Sequence, residues 1–118
     1  MYKLNVISHF SAAHKLVGYD GACKDLHGHN WKVRIGILCD KTDDLGLTID
    51  FKIVKEHLNE LIDRFDHKYL NELSCFKEKN PTSENIARFF YKEMSKKFAI
   101  KECRIEEVEI WESDNTSM

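Results

Sequence analysis

From residue 27 onward the chain alternates without interruption. His27, His29, Trp31, Val33, Ile35 and Ile37 share one parity, while Lys32, Arg34 and Leu38 take the other. Side chains at i and i+2 of an extended chain project to the same face, so residues 29–40 read as a half-buried antiparallel strand. Two imidazoles sit at the head of its buried face, in register with Trp31, and Gly28 between them keeps the approach to a common point uncluttered. A third imidazole, His14, lies upstream in Phe10-Ser11-Ala12-Ala13-His14. Three neutral imidazoles around one point are the usual protein half of a catalytic zinc site, with the fourth position left to water or substrate. A lone histidine is more often structural. Three of the chain's six within residues 14–29, two of them at i and i+2, point to metal, and the all-nitrogen set favours zinc.

Cys23 stands four positions before His27. The C-x3-H-x-H spacing permits it as a fourth ligand, which would close the site and make it structural. A thiolate near zinc but not bound to it would instead have a depressed pKa and serve as base or nucleophile. Spacing leaves both open. Asp66-His67 follows a helical stretch, where a histidine favoured by the helix dipole is the ordinary reading and an aspartate-oriented proton relay the functional one. His9 and His57 read as structural, and Glu112, in an acidic strand, as a solvated charge.

The rest of the chain organises around that strand. Residues 2–10 alternate with Leu4, Val6 and Phe10 on one face, and residues 11–26 read as a long loop with Gly18, Asp20 and Gly21 as turn formers. After residue 50 the period changes. Phe51, Val54, Leu58, Leu61, Ile62 and Phe65 form a helical stripe with Asp50 as N-cap. Asn80-Pro81-Thr82-Ser83 starts a second helix, with Glu84 placed for its dipole and Ile86, Phe89, Phe90 and Met94 as its buried face. Residues 105–111 form a final strand. At 118 residues, residues 1–118 are expected to form one domain. The order β-β-α-α-β predicts an α+β fold, an antiparallel sheet with two helices across one face.

Composition narrows the function. Eighteen basic against 20 acidic residues leave a net charge of -2, with no electrostatic footprint for nucleic acid. No apolar run approaches the roughly 20 residues of a membrane span, and Met1-Tyr2-Lys3-Leu4-Asn5-Val6 contains no signal-peptide core. A cytoplasmic location is expected. The four cysteines lack disulfide-like spacing and are expected as free thiols, with Cys39 and Cys103 as small buried hydrophobes and Cys75 without a role.

Together these pieces resemble the family of 6-pyruvoyl-tetrahydropterin synthase and 6-carboxy-tetrahydropterin synthase. The resemblance runs through Phe10-Ser11-Ala12-Ala13-His14, Cys23-x3-His27-Gly28-His29-Asn30, Asp50-Phe51, Asp66-His67-x2-Leu70-Asn71, Pro81-Thr82-Ser83-Glu84-Asn85 and Trp111-Glu112-Ser113. It implies a tunnelling fold (T-fold) assembled as a homohexamer, a dimer of trimers, with active sites where subunits meet. It implies that His14, His27 and His29 bind Zn2+, that Cys23 is the catalytic base, and that Asp66-His67 is its partner pair, contributed from another chain. Glu112 then anchors the guanidine-like edge of a pterin through paired hydrogen bonds, with Thr82 and Glu84 as neighbours. The implied substrate is 7,8-dihydroneopterin triphosphate. One branch of the family eliminates triphosphate to leave a pyruvoyl side chain. The other also loses acetaldehyde, leaving a 6-carboxylate on the route to queuosine. The short Cys23-x3-His27 spacing resembles the carboxy-forming branch. Lys15, Lys24, Lys32 and Arg34 are candidates for the triphosphate by charge, although solvated surface groups are the commoner reading of each. A non-catalytic, zinc-stabilised assembly module is the alternative from another class. The family carries a turn and a final strand after its anchoring glutamate. Here Asp114-Asn115-Thr116-Ser117-Met118 leaves room for a stub, or the strand is cut short.

Overall fold

The computed structural model describes residues 1–21, 24–99 and 102–118. In it a five-stranded sheet carries two helices on one face, the α+β arrangement of a T-fold. The elements are β1 (Tyr2–His14), β2 (His27–Cys39), α1 (Phe51–Asp63), β3 (Lys68–Tyr69), α2 (Ser83–Lys97), β4 (Cys103–Ser113) and β5 (Thr116–Ser117). The sheet order is β3-β1-β2-β4-β5. Its long strands are antiparallel, and the two-residue β3 lies parallel to β1. β1 outruns the alternation that suggests it. Residues 11–14, expected as loop, pair with residues 30–27 of β2, so His14 is set directly opposite His27.

Strand parity builds the core as the sequence suggests. Leu4, Val6 and Phe10 of β1 and Trp31, Val33, Ile35 and Ile37 of β2 are buried against Val54, Leu58, Leu61 and Ile62 of α1 and Ile86, Phe90 and Met94 of α2. Burying such side chains is the main stabilising term, about 1.5–3 kcal/mol each. Asp50 caps α1 by accepting from the Lys52 amide, and Thr82 caps α2 by accepting from that of Asn85. Phe51, counted in the α1 stripe by spacing, is 56% exposed at the first helical position, where it borders a surface groove with Tyr2 and Leu47.

The opposite sheet face carries charge. Arg34 binds Glu107 (2.7 Å), Glu109 (2.9 Å) and Asn5 (2.7 Å), and Lys3 binds Glu107 at 2.6 Å. Gly36 lets these side chains cross, since a Cβ there would lie 3.1 Å from both Glu107 Cγ and Lys3 Cε. Arg34 is thus tied up in the sheet, and Lys32 Nζ stacks 4.1 Å over the Trp111 ring. Beside Gly36 the β2–β4 ladder slips. Gly36 pairs with Glu107 and Ile37 with Ile105, so Glu106 is an extra residue that reverses the parity of β4 beyond it.

The cysteines depart from expectation. Cys39 and Cys103 are both buried, as predicted, but they are not free thiols. The β2–β4 register sets them opposite each other with Cα atoms 4.2 Å apart, and they form a disulfide. They lie 64 residues apart in sequence, and only strand pairing brings them together. Cys75 is free and half-buried. The final strand is the two-residue stub β5, beyond which Ile110 and Met118 exchange backbone hydrogen bonds at 2.8 Å. No helix among the described residues is long and apolar enough to cross a membrane.

Candidate active site

His14 ends β1, and His27 and His29 open β2. The ring centroids of His14 and His27 lie 4.5 Å apart, those of His27 and His29 4.7 Å, and those of His14 and His29 5.2 Å. One nitrogen from each ring falls within 4.8 Å of the others. Trp31 forms the floor, its ring edge-on to His14 at 5.0 Å and to His29 at 5.2 Å.

Hydrogen bonds fix which nitrogens face the centre. His14 Nδ1 lies 2.7 Å from the Pro81 carbonyl oxygen, and His27 Nδ1 lies 2.7 Å from that of Asp25. A carbonyl can only accept, so each Nδ1 carries the hydrogen, and each neutral ring turns the lone pair of Nε2 inward. Those two Nε2 atoms are 2.9 Å apart. Facing lone pairs at that separation repel unless a cation takes them up. Among the described residues, His29 Nε2 is buried with no hydrogen-bond partner. Burial holds His14 and His29 below the ordinary imidazole pKa. The Pro81 hydrogen bond partly offsets this at His14, as the Glu112 charge does at His29. Neutral, inward-facing, tautomer-fixed imidazoles are what a metal needs from histidine. The residues present fit a metal ion, and an imidazole donor set suits zinc among several transition metals.

Glu112 stands beside this cluster because of the slip in β4. Its Oε2 lies 4.0 Å from His29 Nε2, too far for a hydrogen bond, and its Oε1 accepts from Ser83 Oγ at 2.9 Å. Leu16, Thr82, Ser83, Glu84 and Glu112 line a groove of about 260 Å³. Thr82 and Glu84 are therefore neighbours of Glu112, although the Thr82 hydroxyl is engaged in capping α2 and Glu84 is exposed in its first turn.

Asp66-His67 is built as a unit elsewhere. Asp66 Oδ1 accepts from the Ser11 amide at 2.9 Å and lies 3.0 Å from His67 Nδ1, while the His67 amide donates to the Ser11 carbonyl at 2.6 Å. The Ser11 amide, and after it the His67 ring, hold the Asp66 carboxyl below its usual range. His67 adopts φ +58°, a conformation uncommon outside glycine and concentrated at functional positions. Its imidazole is 83% exposed. It opens onto a cavity of about 530 Å³ bordered by Ser11, Ala13, Gly28 and Asn30, and also by Ala12 and His29. Ser11, Ala13, Gly28 and Asn30 have the parity opposite to His14, His27 and His29, but His29 itself borders this cavity, which therefore reaches from His67 to the edge of the imidazole cluster. Cys23 lies outside the described residues.

Sequence reasoning missed Pro81, Asp25 and Ser83 as partners of the site. The first two act through backbone carbonyls, which carry no side-chain signal. Ser83 stood next to the recognised helix start but had no visible link to Glu112.

A five-stranded sheet backed by two helices, with three imidazoles converging at one end, defines a T-fold protein with a metal-type centre. Residues 3–118 match the 6-pyruvoyl tetrahydropterin synthase family, and the chain belongs to it. It is 30% identical to a 6-carboxy-5,6,7,8-tetrahydropterin synthase of Rickettsia felis over 90% of each chain. Identity to that of Haemophilus influenzae is 31%, over 85% of this chain and 70% of the relative. The fold superposes on 6-pyruvoyl tetrahydropterin synthase of Caenorhabditis elegans with a TM-score of 0.87, at 24% identity over 99% of this chain and 92% of that one.

Proposed function

We propose that this chain is a zinc-dependent lyase that converts 7,8-dihydroneopterin triphosphate to 6-carboxy-5,6,7,8-tetrahydropterin, acetaldehyde and triphosphate, on the route to 7-deazapurines such as queuosine. The observation that carries the reading is the convergence of three imidazole nitrogens, two with their tautomers set by carbonyls, beside a serine-bound carboxylate. The names of the relatives supply the substrate class and the carboxy-forming outcome.

In this proposal His14, His27 and His29 hold the zinc, which when bound supplies Lewis-acid polarisation of the substrate's side-chain hydroxyls. Glu112 accepts two hydrogen bonds from the guanidine-like edge of the pterin and fixes its orientation, with Thr82 and Glu84 at the rim. Cys23 removes a proton from the substrate side chain. His67, its ring oriented by Asp66, moves protons on the other side. In this reading His67 serves the site of a neighbouring subunit, as the family's shared sites imply. The assembly is a homohexamer of single-domain chains (residues 1–118), proposed as cytoplasmic.

Mass spectrometry of the products formed from 7,8-dihydroneopterin triphosphate tests the reading. A 6-carboxy-tetrahydropterin with acetaldehyde is expected. A pyruvoyl product without acetaldehyde would assign the chain to the 6-pyruvoyl-tetrahydropterin synthase branch. No turnover, with unfolding on chelation, would leave a zinc-stabilised assembly module.

A further inference from the structure

Past His14 the chain leaves β2, and the peptide groups of Lys15 and Val17 lose their ladder. Two side-chain amides replace it. Asn71 Oδ1 accepts from the Lys15 amide at 3.0 Å, and its Nδ2 donates to the Lys15 carbonyl at 2.9 Å. Asn80 treats Val17 identically, at 2.8 and 2.9 Å. A primary amide carries one acceptor and a donor on a rigid plane, as a peptide group does. Residues at i and i+2 of an extended segment turn their peptide groups to the same edge, so two asparagines present what a neighbouring strand would.

Between the clamped residues stands Leu16. It has the parity of His14, and its side chain lines the groove with Glu112 and Ser83. Lys15 and Val17 are themselves exposed, Val17 at 67%, so the segment has little core burial to hold it. Asn80 is held in turn, because its carbonyl accepts from Asn85 Nδ2 at 2.8 Å, and its neighbour Pro81 receives the His14 hydrogen bond.

We infer that Asn71 and Asn80 are positioning residues, an amide clamp that holds Lys15–Val17 as a substitute strand and fixes Leu16 as the apolar wall of the Glu112 groove. The inference rests on the proposed function in assigning that groove to the flat ring of a pterin. Both a donor and an acceptor are required at each clamp. Aspartate has the shape but lacks the donor, and glutamine is longer by a methylene.

The test uses Asn71→Ala, Asn80→Ala and Leu16→Ala, with Asn71→Asp and Asn80→Asp as shape-preserving variants should the alanine proteins fold poorly. Removing a clamp is expected to speed amide hydrogen exchange at Lys15 or Val17 by about tenfold, the worth of one net hydrogen bond. Metal content should stay at the wild-type level. The KM for 7,8-dihydroneopterin triphosphate should rise about tenfold, with kcat changed less than about threefold. Leu16→Ala should reproduce the KM change, and adding Asn80→Ala to it should change KM little further. A merely structural role would lower the melting temperature and leave KM unmoved. Unchanged exchange overturns the clamp, and so does faster exchange with an unmoved KM. The exchange measurement needs no ligand. An inactive wild type would therefore overturn the proposed function and leave the clamp to be decided by exchange alone.

Discussion

The Nδ1–H of His14 donates to the carbonyl oxygen of Pro81 at 2.7 Å, across 67 positions of sequence. This bond joins the end of β1 to the segment that opens α2, and it selects the tautomer whose Nε2 faces His27. The three residues around Pro81 bind the same site. Asn80 clamps Val17, Thr82 caps the helix, and Ser83 donates to Glu112. Four consecutive residues thus set a metal-type ligand, a groove wall, a helix start and a carboxylate.

The depressed imidazoles set a pH dependence. His14 and His29 have folded-state pKa values below the ordinary value of 6.5, chiefly through burial. The unfolded chain therefore takes up protons first as pH falls. Their contribution to stability is complete above about 6.5 and is lost as pH falls through 6.5 towards the lower folded values. Chemical denaturation of the metal-free protein from pH 8 to 5 should show stability declining across that window. Bound metal should be released as the pH falls, because protons compete for the same nitrogens.

Replacement of Cys23 separates ligand from base. Cys23→Ala is expected to keep its full complement of zinc by elemental analysis while kcat falls by about 10²- to 10⁴-fold, the usual worth of a general base. Loss of the metal in that variant would make Cys23 a ligand and remove the proposed base.

Subunit sharing can be read by complementation. Cys23→Ala and His67→Asn should each be nearly inactive alone. Co-expressed, they should regain up to about one quarter of wild-type activity, since a symmetric oligomer that builds sites from two chains forms some sites with both native residues. Failure of the mixture to regain activity would place both groups on the same chain's site.

Glu112→Gln keeps the size of the side chain but turns one acceptor into a donor. The KM for the pterin substrate should rise by about 10- to 100-fold, in keeping with the 1.5–3 kcal/mol of a hydrogen bond to a charged group. Zinc content should not change. A KM within experimental error of wild type would exclude Glu112 as the anchor.

The pairing of Cys39 with Cys103 closes a loop across 64 residues. Peptide mass spectrometry of unreduced protein should recover the two as one linked fragment, protected from alkylation. Reduction should lower stability by about 2–4 kcal/mol, because the unfolded chain regains the freedom the link removed. Full alkylation of both without reductant would show the thiols to be unpaired.

Much of this was legible in order along the chain. The alternation of β2 put His27 and His29 on the face of Trp31, and the apolar stripes of α1 and α2 named most of the core. Those features are local, because a side chain's direction on a strand or helix follows from its own position. The convergence of His14 with the other two required strand pairing through residue 14, in a stretch that reads by itself as loop. Tertiary structure alone decided three things. The disulfide depended on the β2–β4 register, invisible in the spacing of the cysteines. The place of Glu112 depended on one extra residue, Glu106, which shifts β4 so that Glu112 joins the imidazole face although its parity is opposite to that of Ile105. The tautomer of His14 depended on the carbonyl of Pro81, 67 positions away, a group that every residue possesses and no sequence distinguishes. Side-chain pattern determines which face a residue prefers. Which backbone groups and distant strands meet it is settled only when the whole sheet closes and each buried polar atom finds its partner.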